Sequence, residues 1–138
     1  MVTSESFSLN SKGNTDIIDV TDKVSQVVGS SGLRRGVATV FVVGSTAGVT
    51  TMEFEPGLIA DMRQLFERLA PANQQYQHNL RWGDLNGHSH LRASLLGPSL
   101  SIPFADGQLQ LGTWQQIVLI DFDVRPRHRT VIVQVVGE

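Results

Sequence analysis

The run RGVATVFVV at 35–43 constrains the fold more than any other stretch. It is β-branched and apolar on both faces through its middle, which suits a central strand better than an edge. Gly44, Ser45 and Thr46 interrupt it, and VTTMEF at 49–54 resumes an extended pattern in which Val49, Thr51 and Glu53 share one face. If that face is inward, the Glu53 carboxylate is carried toward the core and needs a cation or hydrogen-bond donors there, because an unpaired buried charge is costly. Further strands are expected at 3–9, where Phe7 and Leu9 alternate with polar residues, and at 99–104 and 109–111 around the turn pair Asp106-Gly107. Pro103 points to an edge or irregular strand. The last two strands, 114–124 and 130–136, are expected to form a hairpin through RPRH at 125–128.

Leu58, Ile59, Met62, Leu65, Phe66 and Leu69 form the broad apolar stripe of one long helix, closed by Pro71. Two short helices are expected. One starts at Thr21 or Asp22 as N-cap and runs through Val24, Val27 and Val28 to Gly29, and the other covers Ser89 to Leu96 and stops at Gly97. Residues 71–87 have no clean period and read as a long loop. Six or seven strands, mostly joined as hairpins, with one long and two short helices, make an α+β fold with antiparallel sheet. With 138 residues, 41% hydrophobic and 17% charged, and no repeat or linker, the chain reads as a single domain over 1–138. No apolar run approaches the about 18 residues of a spanning helix. The opening MVTSESFSLN lacks both a basic start and an apolar segment, so no membrane partner and a cytoplasmic location are expected. The net charge of −2 is dispersed except at Arg125, Arg127, His128 and Arg129, which argues against nucleic acid while leaving that cluster able to meet a phosphate.

The absence of cysteine leaves imidazole, carboxylate and amide groups as the available ligands. His78, Asp84, His88 and His90 are the strongest chemical signal: they suit zinc or manganese, and His88 and His90 share a side if the segment is extended. The competing reading is of loop histidines in ordinary hydrogen bonds. Asp121 and Asp123 could converge on a metal or act as an acid/base pair. Exposed ion pairs with Arg125, Arg127 and Arg129 are the preferred alternative, chiefly for Asp123. GSTAG at 44–48 could cradle a phosphate through its backbone N–H groups, or could simply bend the strand path.

The ordered set GSTAGVTTMEFEPG, YQH, NGHSHLRASLLGPS, IP, DGQLQLGTWQQIVLIDFD and RTVIVQVVG resembles the YjbQ-like family, also called secondary thiamine-phosphate synthases, over residues 5–137. The resemblance implies an antiparallel β-sandwich core, a homotrimer, and a weak thiamine-phosphate synthase activity that joins hydroxymethylpyrimidine diphosphate to thiazole phosphate. Glu53, Asp61, His78, Asn86, His90, Gln115 and Arg129 match the family's polar positions. The expected site then has Glu53, Asp84 and Arg129 as catalytic groups and Ser45, Thr46, Asn86 and Gln115 on substrate. His78, His88 and His90 would hold a divalent zinc, manganese or magnesium ion, and the ligand would be a small phosphorylated molecule. The family's histidine in a His-Thr-Thr-Ala motif is replaced here by Gly44. Two alternatives stand beside this reading: a trimeric binding module without catalysis, and a metal-dependent hydrolase.

Overall fold

The computed structural model describes all residues from Met1 to Glu138. A five-stranded sheet contains β1 (Val2–Ser11), β8 (Arg127–Gly137), β3 (Arg35–Val42), β5 (Ser99–Ala105) and β6 (Gln108–Leu109), in that order. A three-stranded sheet has the order β2 (Asp16–Asp19), β7 (Gln116–Asp121), β4 (Ala47–Met52). All neighbours are antiparallel. The β-branched run at 35–43 forms β3, and it does lie inside its sheet, between β8 and β5.

β7 explains how the layers stack. Ile117 and Leu119 project into a core shared with Ala38, Val40 and Val42 of β3 and Val131, Val133 and Val135 of β8. Val118 and Ile120 alternate to the opposite face and pack with Phe66 and Ala93. Phe66 lies on α2 (Pro56–Leu69) and Ala93 on α4 (Gly87–Leu96). The molecule is therefore a β-sandwich with a helical layer over its smaller sheet, and α1 (Thr21–Ser30) adds Val24, Val27 and Val28 to the sandwich core. Each fully buried side chain of this size contributes about 1.5–3 kcal/mol by leaving water.

Five elements differ from the sequence expectation. β7 and β8 are not a hairpin, because they belong to different sheets and 122–126 carries the chain across the sandwich. β2 is a strand too short to show a period, squeezed between Asn14 and Thr15, both with positive φ, and α1. The 71–87 segment contains a further helix, α3 (Gln77–Trp82), whose single stretch of six residues leaves no amphipathic pattern to read. α1 passes through Gly29 to Ser30, and its N-cap is Val20. The Thr21 hydroxyl instead bonds Asp19 and receives the N–H of Ile117, tying the helix start to β7. Asp106 and Gly107 do form the two-residue turn between β5 and β6, both with φ near the left-handed region.

Three crossings between the sheets, at 12–15, 43–46 and 122–126, fall at the same end of the sandwich. Backbone bonds join them: Asn14 N–H donates to the carbonyl of Asp123 at 2.6 Å, and Phe122 N–H to that of Thr46 at 2.9 Å. Side chains near each crossing are thereby gathered into one corner.

Candidate functional site

At this corner Arg129, buried on β8, grips Asp121 with two nitrogens, Nε to Oδ2 at 2.7 Å and Nη2 to Oδ1 at 2.9 Å. Such a fork is both strong and directional. Nη2 also donates to Thr46 Oγ1 at 2.6 Å, and the Ser11 hydroxyl completes the shell of Asp121 at 2.6 Å. The Thr46 hydroxyl in turn donates to Asp123 Oδ2 at 3.1 Å. Asp123 also receives Arg127 Nε at 2.7 Å, Val124 N–H at 2.8 Å and a longer bond from Asn86 at 3.4 Å. The result is one chain of charge and hydroxyl contacts from Ser11 to Asn86. Arg129 Nη1 takes no part in it and donates to no group of the protein.

Both aspartates depart from the exposed ion pairs expected of them: Asp121 is 0% and Asp123 1% exposed. The pairing with Arg129 and Arg127 is as expected, but the crossing folds the carboxylates inward and draws the arginines after them. Burial pushes the Asp123 carboxyl up, and the bonds from Val124, Arg127, Asn86 and Thr46 outweigh it, holding the group below its ordinary value. Asp123 is therefore an anion at neutral pH.

The histidines divide. His88 and His90 lie on α4, where two residues turn the side chain by about 200°, so they cannot share a side as they would in an extended segment. His90 stacks on His78, with ring centroids 4.4 Å apart, and His78 Nδ1 stands 3.7 Å from Asp84 Oδ1. His88 is buried on the Arg92 and Glu67 side. Burial lowers the pKa of both His88 and His90, reinforced by Arg92 for His88 and by His78 for His90, so both rings are neutral at pH 7. Nδ1 of His78, Nδ1 of His88, Oδ1 of Asn86 and Oγ of Ser89 are buried without a partner. Even so, no three histidine or carboxylate side chains of the chain converge to hold a metal ion, and the donor set does not fit a divalent ion in this arrangement.

Thr46, Asn86 and Arg129 are thus joined in the corner network, with Asp84 and Asn86 lining a small recess of about 140 Å³ beside Asp123, Arg125 and Arg127. Ser45 is exposed in the adjacent loop. Glu53 and Gln115 are not brought there. Glu53 is exposed just past the end of β4 and does not follow Val49 into the core, because the strand stops at Met52. Gln115 precedes β7, bonds Thr51 Oγ1 at 3.1 Å, and lines a cleft of about 360 Å³. β7 spans about 16 Å from Gln116 to Asp121, and Gln115 lies one residue beyond its far end, at the opposite end of the smaller sheet from Asp121. Asp61 is exposed on α2. Ser11, Thr15 and Arg92 escaped the sequence reading, since each is distant in the chain from its partners and only the topology joins them. Arg92 bonds Ala70 O, Thr15 Oγ1 and Glu67 Oε2 at 3.0, 3.0 and 2.7 Å.

An antiparallel two-sheet α+β fold with a buried Arg/Asp corner and adjoining histidines defines the class of protein. The model of the UPF0047, YjbQ-like proteins matches residues 5–138, and the chain belongs to that family. It is 38% identical over 137 residues to a UPF0047 protein of Methanothermobacter thermautotrophicus, covering 99% of this chain and 94% of the relative. A UPF0047 protein of Archaeoglobus fulgidus is likewise 38% identical over 128 residues, covering 93% and 97%. Among solved structures, a YbjQ-like protein of unknown function from Sulfolobus solfataricus P2 superposes with a TM-score of 0.95 at 33% identity, covering 100% of this chain and 99% of the other. A YjbQ/UPF0047 protein from Clostridium acetobutylicum gives 0.87 at 34% identity, covering 96% and 99%. The expected antiparallel α+β architecture therefore holds at the level of the whole chain. No helix is long and apolar enough to cross a membrane.

Proposed function

We propose that the corner binds a small phosphorylated molecule and supports a weak thiamine-phosphate synthase reaction. The observation that carries this reading is the buried Arg129, fixed by Asp121 and Thr46 with Nη1 left to donate outward. In the reaction, the bond between the pyrimidine methylene carbon and the diphosphate oxygen breaks, and the thiazole nitrogen forms the new C–N bond. Pyrophosphate leaves with the electron pair. Arg129 stabilises the charge that develops on the leaving oxygens, and the exposed Arg125 and half-buried Arg127 add positive field at the recess. Asn86 and Thr46 orient the ligand, while neutral His90, beside His78 and Asp84, is available to exchange a proton.

Glu53 and Gln115 act in this scheme only from a neighbouring protomer, as the proposed homotrimer would allow. The outer face of the larger sheet supports self-association: Val37, Phe41 and Val136 are exposed there among uncharged neighbours such as Thr39, Ser101 and Gln134. A zinc, manganese or magnesium ion would need His78, His90 and Asp84 to turn toward a common point, so no step is assigned to it. The cytoplasm, where both phosphorylated precursors would be met, is the proposed location.

The test is the purified protein with hydroxymethylpyrimidine diphosphate and thiazole phosphate, reading thiamine phosphate and pyrophosphate together. Equal amounts of both products, lost in Arg129→Lys, which keeps the charge but not the fork, support the reaction. Pyrophosphate without thiamine phosphate would favour hydrolysis. The divided positions of Glu53 and Arg129 favour a second reading, a binding module that holds the phosphate without turnover, and this is the expected result if phosphate binds and neither product forms.

A further inference from the structure

We infer that Gly44 is the specificity-determining position of the corner: lacking a side chain, it leaves Arg129 Nη1 open to an oxygen of a terminal phosphate, whose other oxygens accept N–H groups of the 44–46 loop. This rests on the phosphate reading above and adds how the phosphate enters and which anions are disfavoured.

Gly44 has φ +137°, a conformation that side-chain-bearing residues rarely adopt. A β-carbon there would stand 2.7 Å from Arg129 Nη1 and 3.7 Å from its Cζ, and apart from the adjoining residues no other atom of the chain comes within 4 Å of that position. The guanidinium is thus the floor of an otherwise open space. It cannot move aside cheaply, because Nε and Nη2 are committed to Asp121 and Thr46. In this loop conformation a side chain at 44 would either cover Nη1 or break the fork.

The rim supplies the remaining donors. The N–H groups of Gly44, Ser45 and Thr46 donate to no acceptor in the protein, although the N–H of Val43 before them donates to Thr130 and the carbonyl of Thr46 accepts from Phe122. Asp121 already offsets part of the Arg129 charge, so the loop N–H groups add to what Nη1 alone offers an anion. A tetrahedral phosphate dianion presents three terminal oxygens and two charges to donors arrayed around it, and so gains more from them than a planar, singly charged carboxylate with two oxygens. The ligand class is therefore a phosphate monoester or the terminal phosphate of a diphosphate.

Calorimetric titration with inorganic phosphate, pyrophosphate and acetate tests this on the whole chain. The wild-type protein should bind both phosphates more tightly than acetate, and Gly44→Ala should weaken phosphate binding by at least about tenfold, the scale of one lost charge-assisted bond. Because alanine at this φ strains the loop, nitrogen-15 spectra of the arginine side chains in the wild type give an independent reading: phosphate should shift the Arg129 guanidinium signals. Phosphate binding that shifts Arg129 but is equally tight in Gly44→Ala overturns the inference while sparing the phosphate reading, and binding that leaves Arg129 unshifted overturns both. A wild-type protein with no affinity for either phosphate overturns both.

Discussion

Two buried arginines, Arg92 and Arg129, each tie a carboxylate into the fold, yet they spend their donors differently. Arg92 uses Nε, Nη1 and Nη2, on Ala70, Thr15 and Glu67, and so pins α4 to the end of α2 and to the first crossing. Arg129 uses only Nε and Nη2 and keeps Nη1 for the outside. Satisfied nitrogens make a staple. An arginine held as rigidly but with one nitrogen unspent is a preorganised anion receptor, and the difference separates a structural cation from a functional one on geometry alone.

The largest expected effect tests the tighter knot. Asp121→Asn removes the partner of a buried guanidinium and should cost about 3–5 kcal/mol in urea unfolding, because the charge of Arg129 is left uncompensated. Adding Arg129→Met should recover part of that loss. If the double variant is no more stable than Asp121→Asn alone, the fork is not what sets the cost. Arg92→Met should be milder, about 2–3 kcal/mol, since Thr15 and Ala70 lose a donor but Glu67 is half exposed and can turn to water. Its phosphate affinity should match wild type, and a clear drop there would end the distinction between staple and receptor. Ser11→Ala should lower stability by about 1 kcal/mol, because Asp121 keeps the Arg129 fork and the Asp123 N–H after losing that hydroxyl.

How much of this could be read from the chain follows from where each signal resides. β3, the long helix and the Asp106-Gly107 turn carry their evidence within a few residues, as β-branching, a 3.6-residue stripe and a left-handed pair, and all three are present. β7 was legible as a strand but not as a member of a different sheet from β8, since pairing is decided by partners far away in sequence. The same limit governs the site. Thr46, Asn86 and Arg129 do share one network, whereas the periodicity of VTTMEF could not reveal that the strand ends before Glu53. For His88 and His90 the error lay in local geometry: an extended segment would align them, and the helix that begins at Gly87 turns them apart.

The smallest effect contrasts the carboxylates of the two knots. Arg92 holds Glu67 below its ordinary pKa, but Glu67 is half exposed and solvent screens the pair. Asp123 is also lowered, though its burial opposes the shift and only the combined bonds from Val124, Arg127, Asn86 and Thr46 prevail. For a carboxyl whose folded pKa lies below the unfolded one, the stabilisation is complete above the unfolded value of about 4 and is lost as pH falls through the folded value, because the unfolded chain takes up the proton first. Urea midpoints between pH 5 and pH 3 should therefore fall less steeply in Asp123→Asn than in wild type. Glu67 contributes to both curves and cancels in the comparison. Parallel curves would mean that burial offsets the bonds to Asp123 completely, making the corner no better an anion holder than the exposed pair at Glu67.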